Sequence, residues 1–167
     1  MATRLQAAKR PVSSVAGPYG HPFHPIMVTV PIGSWVASLV FDVASRVADQ
    51  PAVFATGSYW LIGLGVLGAL VAALFGFLDL FAIPTGTRAF RTGLTHMTLN
   101  LTVVVLYAVS FVVRRGAAHA GGVPISLIAL SLVALVLLAI SGWLGGQLAY
   151  RYGVRVADES TQAQAYQ

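Results

Sequence analysis

The chain has no cysteine and very little charge. Only 9% of its 167 residues are Asp, Glu, Lys or Arg, where a soluble domain carries about one quarter. Without cysteine there is no disulfide framework, thiolate zinc site, all-Cys iron–sulfur cluster or covalently attached c-type haem. Without charge there is little to hold 57% hydrophobic residues, at a mean hydropathy of +0.79, in water. The composition also excludes a disordered or collagen-like chain. What remains is an integral membrane protein.

The sparse charges mark where the chain leaves the membrane. No Asp, Glu, Lys or Arg falls in 11–41, 51–78, 92–113 or 116–150. Each gap exceeds the roughly 20 residues that a helix needs to cross the hydrocarbon. This spacing predicts an all-α, four-helix transmembrane bundle with helices near 25–47, 58–82, 92–113 and 124–150. Pro31 lies inside the first and is expected to kink it. The alternating segments of about ten residues that build a membrane β-barrel are missing. Residues 1–20 read as a basic polar tail without a signal-peptide core, 21–155 as the membrane domain, and 156–167 as a frayed C-tail.

Arginine and lysine counts give an orientation. Arg4, Lys9, Arg10, Arg88, Arg91, Arg151 and Arg155 fall on one side of the four spans, and Arg46, Arg114 and Arg115 on the other. Seven against three predicts that the N- and C-termini are cytoplasmic. The pI of about 10.1 therefore reflects topology and attraction to an anionic bilayer, with no nucleic-acid partner implied.

Helix order then gathers polar residues at the cytoplasmic end: His21, His24, Asp79, Arg88, Arg91, His96, Asn100, Tyr150 and Arg151. Ionisable groups in a span are costly and point to a site. Asp79, in A-L-F-G-F-L-D-L-F-A-I-P, is expected to pair with Arg88, Arg91 or a histidine. Helical phase adds a second expectation. His24 and Asp42 share one face of the first span, and His96 and Arg114, separated by the same 18 positions, share one face of the third. If these faces meet, His24 stands near His96 and Asp42 pairs with Arg114.

Three readings of this pattern stand open. The first is a non-enzymatic bundle or accessory subunit, with the polar residues as structural contacts. The second is a b-type haem protein with His24 and His96 as axial ligands, His21 being an alternative to His24. The third is a proton- or ion-conducting module centred on Asp79. No catalytic constellation or complete metal motif is present, and His119 in the outer loop reads as solvated. Gly63, Gly65 and Gly68 spell G-x-G-x-x-G, but inside an apolar helix rather than between strand and helix, so they do not indicate a dinucleotide site. Gly68, Ala72 and Gly76, four residues apart, and Gly142 and Gly146 at the same spacing, are expected to supply helix-packing seams.

Four segments carry a family resemblance: H-P-F-H-P-I-M-V-T-V-P-I-G (21–33), F-G-F-L-D-L-F-A-I-P-T-G-T-R-A (75–89), H-M-T-L-N (96–100) and G-W-L-G-G-Q-L-A-Y-R-Y-G-V (142–154). In order, they resemble a bacterial membrane family catalogued as domain of unknown function 2231. The resemblance implies a four-helix inner-membrane protein without an assigned activity. It also implies redox surroundings, since some relatives join this region to a Rieske domain, and allows a homo-oligomer or a respiratory-chain partner. Its motif residues here are His21, His24, Pro25, Pro31, Asp79, Arg88, His96, Asn100, Gly145 and Gly146. Val28-Thr29-Val30 stands where an aromatic is expected, and Arg155 where a small residue is.

Overall fold

The protein is described by a computed structural model over residues 3–115 and 122–167; His119 lies outside these residues. The regular secondary structure of the described residues is helical: α1 (Arg4–Lys9), α2 (Phe23–Met27), α3 (Thr29–Val47), α4 (Pro51–Phe81), α5 (Arg88–Arg114), α6 (Ile125–Gly146) and α7 (Glu159–Gln164). Four stretches are long and apolar enough to cross a membrane: Phe23–Val47, Pro51–Phe81, Arg88–Arg114 and Ile125–Arg151.

Local sequence explains where these helices bend, begin and end. Pro31 has no N–H, and its ring crowds the carbonyl four residues earlier, that of Met27. The first span accordingly breaks there, with α2 ending at Met27 and α3 starting at Thr29. Thr29 Oγ1 donates to Ile26 O at 2.7 Å and satisfies one carbonyl beside the break. The second span begins at Pro51, seven residues before the expected 58. Proline suits a first helical position because that N–H needs no partner. The third begins at Arg88 rather than 92: Thr87 Oγ1 caps it by accepting from Phe90 N at 3.1 Å. Charge marks the edge of the hydrocarbon, and a helix is free to continue past that edge.

The fourth span does not stop at Gly146. It runs on as one π turn, Gln147–Arg151, in which Gln147 O accepts from Tyr152 N, five residues on, at 3.0 Å. The tails differ from the expectation of polar, frayed ends. Ala8 and Val154 join Ile83 in a small apolar cluster under the bundle. Lys9 pairs with Glu159 at 3.4 Å, and Asp158 N donates to Tyr19 OH at 2.7 Å. Apolar residues scattered through both tails provide this docking; neither tail alone has the periodic face that reveals a packed helix.

Packing runs from α3 to α4 to α5 to α6 and back to α3, which sets α3 opposite α5 and α4 opposite α6. The core contains Trp35, Ile62, Ala69, Val103, Tyr107 and Ala134. Trp35 and Tyr107 stack at 4.3 Å between centroids, 8° from parallel. A Cβ on Gly65 would overlap the indole, so this glycine permits the close approach of α3 and α4. Leu64, Leu67, Leu74, Val105, Val109, Val136 and Trp143 point outward, whereas Ser34, Ser38, Ser58, Ser110, Ser131 and Ser141 are buried. Small polar residues inside and large apolar ones outside suit a bundle whose solvent is lipid.

The contacts made by the first helical hairpin recur in the second. Facing residues of the first and third spans keep one offset of 72 positions: His24 with His96, Trp35 with Tyr107, and Asp42 with Arg114. On α4 and α6 the equivalents of the histidine contacts, Ala72 with Ser141 and Gly76 with Gly145, keep an offset of 69. The pattern is that of a parallel repeat about an axis along the membrane normal.

Candidate functional site

The histidine pair occupies that axis at one end of the bundle. The Pro31 break carries α2, and with it His24, across the last part of α4. His24 Nδ1 lies 2.9 Å from Ala72 O, and His96 Nδ1 lies 2.8 Å from Ser141 O. A carbonyl only accepts, so in both neutral rings the proton sits on Nδ1 and Nε2 carries the lone pair. Each ring rests on a glycine of its own hairpin. A methyl group at Gly76 would come within 2.9 Å of His24 Cε1, and one at Gly145 within 3.1 Å of His96 Cε1. The rings stand 6.1 Å apart between centroids and 88° from coplanar.

The surroundings of the rings differ in one respect. Asn100 Nδ2 donates to His96 O at 2.9 Å and lies 3.2 Å from His96 Nε2, whose lone pair it caps. Ser141 Oγ donates to His96 O at 3.1 Å and lies 3.0 Å from His96 Nδ1, fixing the ring from the other side. His24 has its Nδ1 contact alone, with no hydrogen bond to Nε2 among the described residues.

The other residues expected at this end do not form one cluster. Asp79 pairs with neither Arg88 nor Arg91, both of which are exposed. Its partner is Arg155, with Nε 2.7 Å from Asp79 Oδ1. After the π turn the chain doubles back under α4, and Arg155 takes a left-handed conformation at φ 60°. That turns its guanidinium inward, where Nη2 donates to Ala16 O at 3.0 Å and Gly17 O at 3.2 Å. The arginine that departs from the family pattern thus ties both tails to the second span. His21, Tyr150 and Arg151 are exposed. Of the expected cluster, Asn100 alone touches a histidine, while Asp79 remains within electrostatic range of His24.

At the far end Arg114 holds Asp42 with two parallel bonds, Nη1 to Oδ1 at 2.7 Å and Nη2 to Oδ2 at 2.8 Å. Arg114 Nε donates to Ser110 Oγ at 3.1 Å, and Ser58 Oγ donates to Asp42 Oδ1. Both charged groups are almost wholly buried, at 0% and 1% exposure. They lie 18 residues along their helices from the histidines, or about 27 Å of helix.

Arg155 and the contacts on Ala72, Ser141, Gly76 and Gly145 escape sequence reasoning on single segments. The shared offset of His24, Trp35 and Asp42 with His96, Tyr107 and Arg114 is the signal that exposes the repeat, and with it the symmetric contacts. Comparisons with curated proteins and with solved structures return no match. A family profile matches residues 20–158, which is most of the chain and includes every residue of the histidine site. The chain belongs to the family of predicted membrane proteins designated DUF2231.

Proposed function

We propose that this protein is a bacterial inner-membrane b-type haem carrier, with His24 and His96 as axial ligands and both termini cytoplasmic. The observation that carries the reading is the symmetric pair of oriented rings. His24 and His96 would hold the group between them, their ring centroids standing 6.1 Å apart. Anchoring Nδ1–H on a backbone carbonyl fixes the tautomer and makes Nε2 the ligand, as metal-binding histidines require. A bare cation needs more donors, and the described residues hold no group of three His, Cys, Asp or Glu. A porphyrin brings four nitrogens of its own and asks the protein for two.

When bound, an iron porphyrin supplies a one-electron couple. The chain's own residues do the rest. Ala72 and Ser141 carbonyls orient the rings, Gly76 and Gly145 give them room, and the apolar helices exclude water. Asn100 keeps its bond to His96 O while yielding His96 Nε2. Ser141 Oγ, beside His96 Nδ1, donates to His96 O and serves to orient the ring, so the reading is electron transfer with a membrane or respiratory partner, without catalysis by this chain.

An absorbance spectrum of the protein purified in mild detergent, with haem supplied during expression, tests the reading. A reducible Soret band is expected, lost in His24→Ala and in His96→Ala but retained in His21→Ala. A haem-free protein recovered in full, or a Soret band indifferent to both substitutions, refutes it.

A further inference from the structure

Where the fourth span ends, the two tails build a cleft of about 450 Å3 that has no part in the histidine site. Leu5 and Lys9 of α1, Tyr150 and Arg151 of the π turn, and Glu159 and Gln162 of α7 contribute its walls. Two of these groups are cationic. Lys9, 7% exposed, spends one N–H on Ala157 O at 3.2 Å and one on Glu159 at 3.4 Å. An ammonium has three donors, so a third remains. Arg151 is exposed and makes no ion pair among the described residues. Glu159 is the one acid in the lining. Its backbone hydrogen bond and Lys9 hold it below the usual carboxylate range, so it stays ionised and the three groups sum to one positive charge.

The position of the cleft matters as much as its charge. Arg151 is the last residue of the apolar stretch Ile125–Arg151, so the opening lies where hydrocarbon meets water. Tyr150 is 93% exposed and Leu5 51% exposed at its rim. A tyrosine ring at headgroup depth, beside a cation and an apolar side chain, matches the layers of a phospholipid: phosphate, glycerol and acyl chain. We infer that this cleft binds the phosphate of an anionic phospholipid between Arg151 and Lys9, with Tyr150 against the glycerol and upper acyl chain.

Native mass spectrometry of the full chain, released from micelles containing phosphatidylglycerol and phosphatidylcholine, tests the assignment. One phosphatidylglycerol is expected to be retained in preference to phosphatidylcholine. Arg151→Gln, an exposed change that leaves the helical circular dichroism intact, should weaken retention about fivefold, the effect of one cation near an anionic lipid surface. Arg151→Lys should keep most of it. Equal retention by Arg151→Gln, or no preference over phosphatidylcholine, overturns the proposal. So does displacement of the lipid by inorganic phosphate at the same concentration, which would mark a site for free phosphate. The haem spectrum does not enter this experiment, so the two readings stand or fall separately.

Discussion

Asp42 and Arg114 show what one residue can decide in a lipid-embedded chain. Both are buried, and each oxygen of Asp42 receives a guanidinium N–H. Such a pair contributes little beyond apolar residues of the same size, but half of it is expensive, because the survivor is an uncompensated buried charge. Asp42→Asn should therefore destabilise the protein by about 3–5 kcal/mol, read from unfolding in mixed micelles. The double variant Asp42→Leu, Arg114→Met should recover much of that loss. A single substitution within 0.5 kcal/mol of the parent, a normal surface change, would show that the pair is not what locks the far end. The pairing is legible in the sequence because both residues follow a histidine by the same 18 positions. Asp79 is not legible in the same way. Its partner sits 76 positions away, beyond two more spans, in a segment whose backbone conformation no periodicity announces.

At the scale of elements, the long apolar spans are written plainly and the tails are not. A span must satisfy its backbone internally, so its length is visible in hydropathy. A six-residue helix is marginal by itself, and α7 depends on Asp158, which accepts from Thr161 N at 2.9 Å and Ser160 Oγ at 2.8 Å. These bonds hold the Asp158 carboxyl down from 3.8 to about 2. A depressed carboxyl contributes stability above its unfolded pKa and loses it as pH falls through the folded one. The C-tail should thus loosen between about pH 4 and pH 2, seen as faster hydrogen exchange over residues 158–164. Asp158→Asn, which can still cap α7 without titrating, should reduce that dependence to the share carried by Glu159, whose carboxyl is also held down. If the two proteins loosen alike on acidification, the cap is not the cause. Pro31 marks the opposite extreme: one ring suffices to predict the kink, while its result, His24 swung over Gly76, needs the neighbouring helix to define it.

For the whole molecule, two repeated hairpins impose an even number of crossings, and the tails confirm that both ends meet on one side. Arg155 binds Ala16 O and Gly17 O, and Lys9 binds Glu159. The Pro84–Thr87 turn lies at this same end, while the Ala48–Gln50 connection lies at the other. Which end faces the cytoplasm rests on the basic residues, seven against three. The missing cysteines make this easy to measure, since each introduced thiol is the only one in the chain. Ser13→Cys, Thr85→Cys and Gln164→Cys, all at exposed positions, should resist a membrane-impermeant maleimide in spheroplasts and react after permeabilisation. Exposed Asp49→Cys should react at once. Immediate labelling of the first three would invert the orientation and put the histidine pair near the periplasmic surface. Labelling that separates Ser13→Cys from Gln164→Cys would contradict the shared side itself, and with it the repeat that places His24 opposite His96.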